Sequence, residues 1–152
     1  MAVDMFPQLT SEHWLVLFYA SVLVIATVLV HYEAFSLVSR WLVRLPFHGR
    51  GRVLFVMFGL LAAHIAEIWA FGLAYWLLLT QTSLGRLTGG IADFADCIYF
   101  SSVTYTTLGY GDLSPEGPLR LLASSEALTG FVLITWSASF TFLQMERFWR
   151  SR

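Results

Sequence analysis

Two groups of residues in this chain have the types and spacing to do chemistry, and both lie in or beside long apolar stretches. The first is the run TTLGYGD, Thr106 to Asp112. It is too rich in glycine for a helix interior and too short for a strand. It is therefore backbone held in an unusual shape, and its chemistry is that of successive carbonyl oxygens. The second group is ionisable. His64 and Glu67 are three residues apart in the middle of an apolar segment, hence on one helix face. A titratable side chain at that depth is a functional hypothesis by default. Glu126, near the start of the last apolar segment, and His31 and Glu33, near the end of the first, complete the set.

The elements that must position these groups are membrane helices. Of 152 residues, 57% are hydrophobic and 12% charged, with mean hydropathy +0.68; the charged share is about half that of a soluble domain. Three segments, 14–38, 53–80 and 121–145, are long enough to cross roughly 30 Å of hydrocarbon, which takes about 20 apolar residues. No basic patch interleaved with aromatics suggests nucleic acid. The single cysteine, Cys97, excludes an intrachain disulfide and reads as a small buried apolar residue. The N-terminus has no basic region or cleavage site of a removable signal peptide.

Arginines set the orientation, because the chain has no lysine. Arg40, Arg44, Arg50 and Arg52 follow the first span, and Arg147, Arg150 and Arg152 follow the third, leaving Arg86 and Arg120 on the other side. The positive-inside rule then puts that loop and the tail in the cytoplasm and the N-terminus outside. Trp14, Tyr75 and Trp76 are expected in the outer aromatic belt, and Trp41, Phe148 and Trp149 in the inner one.

The stretch 81–118 begins and ends outside, yet its centre, FADCIYFSSVTYTTLGYGDLSP, is too apolar to stay there. It is expected to dip back in, with Asp93 as N-cap of a short helix from Phe94. Irregular backbone at membrane depth is tolerated only when buried in protein or lining a water-filled cavity. The carbonyls of the glycine-rich run therefore need a non-protein partner, and a dehydrated cation is the natural one. Gly109 and Gly111 fit that use: carbonyls point to one axis only if backbone torsions alternate, and glycine reaches positive φ without steric cost.

In its context, TTLGYGD closely resembles the signature of tetrameric potassium channels, over about residues 53–145. The resemblance implies an all-α membrane protein: three transmembrane helices plus a re-entrant pore helix and selectivity filter, assembled as a homotetramer around a central pore. Residues 1–51 are then an extra N-terminal helix with its Arg-rich loop. Residues 52–152 are the pore domain, with outer helix 53–80, pore helix 94–106, filter 107–111 and inner helix 119–149. By the same resemblance, Thr107 offers hydroxyl and carbonyl, and Leu108, Gly109 and Tyr110 their carbonyls, to replace the hydration shell of K⁺. Thr106 and Gly111 support the filter, and Asp112 at the outer mouth raises local cation concentration. The Tyr110 ring is expected to pack on the pore helix near Tyr99 and Phe100. Two residues depart from the common pattern: Leu108 replaces valine or isoleucine, and Val103 stands where some relatives have a carboxylate that clamps the aspartate.

For gating, Gly130 lies where the family often has a hinge. Gly130, Ile134, Ser137, Ala138 and Thr141 form a stripe that either lines the cavity or marks close helix packing, and Phe142 or Met145 is a candidate constriction. The first span has no arginine repeat, which excludes that form of voltage sensing. His64 and Glu67 are weighed as a structural hydrogen-bond pair reaching His31 or a neighbouring helix, or as a proton sensor; metal binding is disfavoured because no matching second pair exists. Glu126 is expected at filter height, bonded to Ser101, Ser102 or Thr106. His31 and Glu33 are expected to snorkel to the interface.

The function implied is passive, K⁺-selective conduction by a non-enzymatic, multi-pass protein of the cell membrane, a bacterial inner membrane. K⁺ is the ion bound, and lipids and sister subunits are the partners, without nucleic acid or small-molecule substrate. The alternatives are a nonselective cation channel of the same architecture and a nonconducting subunit that modulates a partner.

Overall fold

The computed structural model describes residues 10–44, 50–81 and 84–150, with the side chains of all but residues 81 and 147–150. Arg152, and the side chains of Arg147, Phe148, Trp149 and Arg150 used above for orientation, fall outside that description.

Three long helices carry the fold: α1 (Ser11–Arg44), α2 (Arg50–Gln81) and, after the pore region, α4 (Leu119–Arg150). All three are long and apolar enough to cross a membrane. They overrun the expected apolar segments, α1 most of all, because an established helix propagates easily past the last apolar residue. At 1.5 Å per residue, α1 is about 50 Å long, well beyond the hydrocarbon thickness.

Between α2 and α4 lie a strand β1 (Arg86–Thr88), the short helix α3 (Phe94–Tyr105) and a strand β2 (Ser114–Glu116). The Asp93 side chain caps α3 as expected, accepting from Asp96 N at 2.8 Å, while Asp96 accepts from Ala92 N at 2.9 Å. This is the reciprocal logic of a capping box. The expected helix 94–106 stops one residue early, with Thr106 as its C-cap. The strands correct a purely helical description. They pair antiparallel, Leu87 opposite Pro115, and tie the segment before α3 to the segment after the glycine run. Three-residue strands, one holding a proline, leave no periodic signal.

Within the chain, α1 packs on the other helices through two apolar clusters. Its Val16 and Ala20 join Phe71 and Tyr75 of α2, Cys97, Phe100 and Tyr105 of α3, and Leu122 of α4 in one cluster. Phe35, Val38 and Leu42 join Val56 and Leu60 in a second. Lipid is as apolar as leucine, so hydrophobicity alone does not choose which helix faces meet in a membrane. Polar contacts make that choice here. Among the described residues, the buried ones gather in two nodes, at Glu67 and at Glu126, and Arg52 adds a bond to the Leu42 carbonyl at the Arg44 end of α1.

Candidate pore loop and its supporting networks

The run from Thr106 leaves α3 with its amides turned back onto the helix end. Thr106 N donates to Ser102 O (3.2 Å), Thr107 N to Thr104 O (2.9 Å), and Leu108 N and Gly109 N to Val103 O (3.0 and 3.3 Å). Among the described residues, the carbonyls of Thr107, Leu108, Gly109 and Tyr110 accept no backbone hydrogen bond. The reason is torsional. Thr107, Gly109 and Gly111 have φ of +60, +57 and +80°, so every second residue is left-handed and the carbonyls do not alternate sides as in a strand. Glycine meets this without strain; Thr107 does so at the cost carried by a β-branched residue at positive φ.

The run has no cover within its own chain. Leu108 and Tyr110 are 56% and 68% exposed, and a Cβ built on Gly109 or Gly111 would meet no atom within 4 Å. The Tyr110 ring is thus not buried against Tyr99 and Phe100 as expected. Tyr99 instead donates to Asp112 Oδ2 at 2.7 Å. That hydrogen bond chiefly holds the Asp112 carboxyl below the usual carboxylate range. A tyrosine thus restrains the aspartate that the apolar Val103 cannot reach.

Behind the run stands the Glu126 node. Tyr75 donates to Glu126 Oε2 at 2.6 Å, and Ser101 Oγ lies 2.5 Å from Oε1 and 2.8 Å from the carbonyl of Ile68. The Ser101 contact is the one expected. Tyr75, expected in the outer belt, is instead 1% exposed; it shares a helix face with Glu67, Phe71 and Leu78, and that spacing was the available signal. Three contacts need three hydrogens, and the two hydroxyls supply two. A neutral carboxylic acid at Glu126 supplies the third and satisfies all three contacts.

The Glu67 node lies at the C-terminal end of α3. Tyr105 donates to Glu67 Oε2, and His31 Nδ1 is 2.8 Å from Oε1. His64 Nδ1 lies 2.9 Å from the Tyr105 hydroxyl and 3.3 Å from Oε2. Ser137 Oγ bridges His64 Nε2 (3.0 Å) and His31 Nε2 (3.1 Å). The expected pairing of Glu67 with His64 and His31 is present, but His31 does not snorkel. It is 0% exposed and stacks edge-on against Phe35 at 4.6 Å. Glu33 does reach the surface, where it pairs with exposed Arg40 at 3.6 Å.

The small-residue stripe on α4 divides by depth. Gly130 lets the end of α3 approach, since a Cβ there would run into the Tyr105 carbonyl. Ser137 belongs to the Glu67 node. Ile134, Ala138 and Thr141 line a groove of about 320 Å³ shared with Leu54, Met57 and Phe58 of α2. Phe142 is 61% exposed on its own chain, and Cys97 is buried as expected.

Residues 53–147 match the ion channel family Ion_trans_2. The chain belongs to that family, a family of channels and not of enzymes, and it is a multi-pass membrane protein. Two curated relatives are similar to it. The two-pore potassium channel 1 of Arabidopsis thaliana is 43% identical over 63 residues, 41% of this chain and 16% of the relative. The two pore potassium channel b of Oryza sativa subsp. japonica is 35% identical over 89 residues, 58% of this chain and 24% of the relative. The chain thus spans at most about a quarter of the length of either. No solved structure matches it at a significant level.

Proposed function

We propose that this chain forms a potassium-selective channel in which four copies surround one axis. The carbonyls of Thr107, Leu108, Gly109 and Tyr110 and the Thr107 hydroxyl replace the hydration shell of K⁺. The observation that carries this reading is the alternation of left-handed residues at Thr107, Gly109 and Gly111 beside carbonyls without backbone partners. One chain encloses nothing with such a run, and its exposed flanks require other subunits for cover. The two curated relatives bear the name potassium channel, and this similarity supports the ion.

In this reading residues 52–152 are the pore unit and residues 1–51 add a helix to its outside. Thr106 and Gly111 shape the filter, and Asp112 draws cations to the outer mouth. The protein lies in a cell membrane, with its N-terminus outside and the arginine-rich loop and tail in the cytoplasm. Phe142, exposed on α4, is the candidate constriction below the cavity.

The test is ion flux from proteoliposomes holding the purified chain, in K⁺ against Na⁺ gradients, with its oligomeric state measured by cross-linking. A fourfold particle passing K⁺ and excluding Na⁺ is expected; equal fluxes or a dimeric particle refute the proposal. Gly109→Ala places a methyl at φ +57 in open space of its own chain, so the protomer folds at a cost of about 1–2 kcal/mol. K⁺ flux should nevertheless vanish, since the methyl perturbs a torsion that four copies share.

A further inference from the structure

The contacts at the Glu67 node close into a ring: Glu67 to His31, His31 to Ser137, Ser137 to His64, His64 to Tyr105, and Tyr105 back to Glu67. Each of the four helices contributes: α1 gives His31, α2 gives His64 and Glu67, α3 gives Tyr105 and α4 gives Ser137. Five contacts each need one hydrogen. With Glu67 ionised and both imidazoles neutral, the ring holds four: one on each imidazole and one on each hydroxyl. One contact then sets two lone pairs against each other, whichever tautomers are drawn. A fifth proton, shared by the carboxylate and the imidazoles, closes the ring at net charge zero.

We propose that this ring is a binding site for one exchangeable proton, and that its occupancy controls how firmly Tyr105, and with it the start of the pore loop, is held. Tyr105 is two residues before Thr107. Its hydroxyl is fixed by the ring and its carbonyl lies against Gly130 of α4, so one residue couples the proton site to both the loop and the inner helix. The five-proton ring holds Tyr105 from both sides. The four-proton ring gives up one of the five contacts that close around Tyr105, and the opened ring holds it less firmly.

Among the described residues, no other charged group competes for the proton at the ring. On α1, Glu33 is exposed and paired with Arg40; on α4, Trp136 packs beside His31 at 5.7 Å and is uncharged. Glu126 is the next titratable group acting on Tyr105, and the hydrogen count above makes it neutral. One ligand atom from each of His31, His64 and Glu67 lies within 4.8 Å of the others, a spacing a transition metal would also accept. The ring, however, satisfies every one of them: among the described residues, no buried side-chain polar atom lacks a hydrogen-bond partner.

Two substitutions separate proton counting from ordinary pairing. In Glu67→Gln the amide contributes its own hydrogen, so the ring closes with five hydrogens at every pH. In Ser137→Ala every titratable group remains, but only three of the ring's five contacts are left, and three hydrogens already satisfy them. The experiment measures the thermal midpoint of the solubilised full chain from pH 7.5 to 9.5, where the unfolded imidazoles, at about 6.5, are already almost wholly neutral, and K⁺ flux over the same range. There wild type binds up to one proton more folded than unfolded, so its midpoint should fall as pH rises, by about 3–5 °C per pH unit across the step. Both variants should lack that step. Flux, an arm that rests on the potassium-channel reading, should fall roughly fivefold in wild type, the effect of one hydrogen bond, and stay flat in Glu67→Gln.

A wild-type midpoint as flat as that of Glu67→Gln, or a step that survives in Ser137→Ala, overturns the proton site. Stoichiometric zinc or another transition metal in the purified protein, measured by mass spectrometry, overturns it too. A midpoint that titrates while flux does not overturns the coupling to the loop. Absence of K⁺ flux in every sample at every pH condemns the channel reading and that coupling, while the midpoints still test the ring.

Discussion

Two buried carboxylates brace the same short helix, and they do different things. Glu126 meets hydroxyls and a backbone carbonyl relay, so the missing hydrogen has nowhere to reside except on the carboxyl itself. Glu67 meets a hydroxyl and two imidazoles, so its missing hydrogen has three places to reside. Depth is the same kind of burial at both, 0% and 1% exposed. The partner types alone make one a fixed strut and the other exchangeable. A membrane-buried carboxylate is therefore diagnosed by counting hydrogens around it.

The comparison fails if the short helix does not hold both nodes together, and Gly130 is where to break it. Gly130→Ala drives a methyl into the Tyr105 carbonyl, backbone that cannot move without pulling Tyr105 from the Glu67 ring and shifting Ser101 from Glu126. A loss of about 3 kcal/mol is expected, seen as a lowered thermal midpoint, with disrupted assembly on size-exclusion chromatography. A wild-type midpoint would mean that α3 is not wedged between the two nodes.

A smaller effect sharpens the contrast. Glu126→Ala leaves Tyr75 and Ser101 without their acceptor and should be destabilising by about 2–3 kcal/mol. Glu126→Gln reproduces the neutral acid: its carbonyl accepts from Tyr75, its amide donates to Ser101, and Ser101 donates to Ile68. It should be near neutral in stability and keep the wild-type pH step, whereas Glu67→Gln removes it. If Glu126→Gln were as damaging as Glu126→Ala, the carboxyl would be ionised and the hydrogen count wrong.

What the sequence disclosed about these sites followed the range of the interaction. The Asp93 cap, the extent of α3 and the bond from Ser101 to Glu126 depend on residues a few positions apart on one helix, or on two helices whose relative height follows from the loop between them. His31 lies deeper than the end of the apolar run suggests, because α1 continues to Arg44 and carries its buried stripe of Thr27, His31, Phe35 and Val38 through the middle. Tyr75 differs from expectation because a tyrosine near a helix end has two stable homes, and the face it shares with Glu67, Phe71 and Leu78 favours the inner one. The ring itself was not legible, since it closes between residues as far apart as His31 and Ser137. The strand pair was hidden for the same reason, its register being set by tertiary closure.

The smallest expected effect lies at an exposed carboxylate of the pore region, Asp112. Asp112 accepts from Tyr99 at 2.7 Å, and this bond is the main cause that holds its carboxyl below the usual range. A carboxylate so depressed contributes stability above its unfolded value of about 3.9, and loses that contribution as pH falls through the lower, folded value. Tyr99→Phe removes the bond and moves the titration back up, so the mouth should lose its negative charge at a less acidic pH. Both groups face solvent and the field is screened within about 10 Å at 0.1 M salt, so stability should hardly change. The effect belongs in K⁺ flux near pH 4 to 5 at low ionic strength, where the variant should decline before wild type and the gap should narrow in high salt. Superimposable profiles would show that Tyr99 does not hold the charge of Asp112, and that only the buried carboxylates of this fold are governed by their hydroxyl partners.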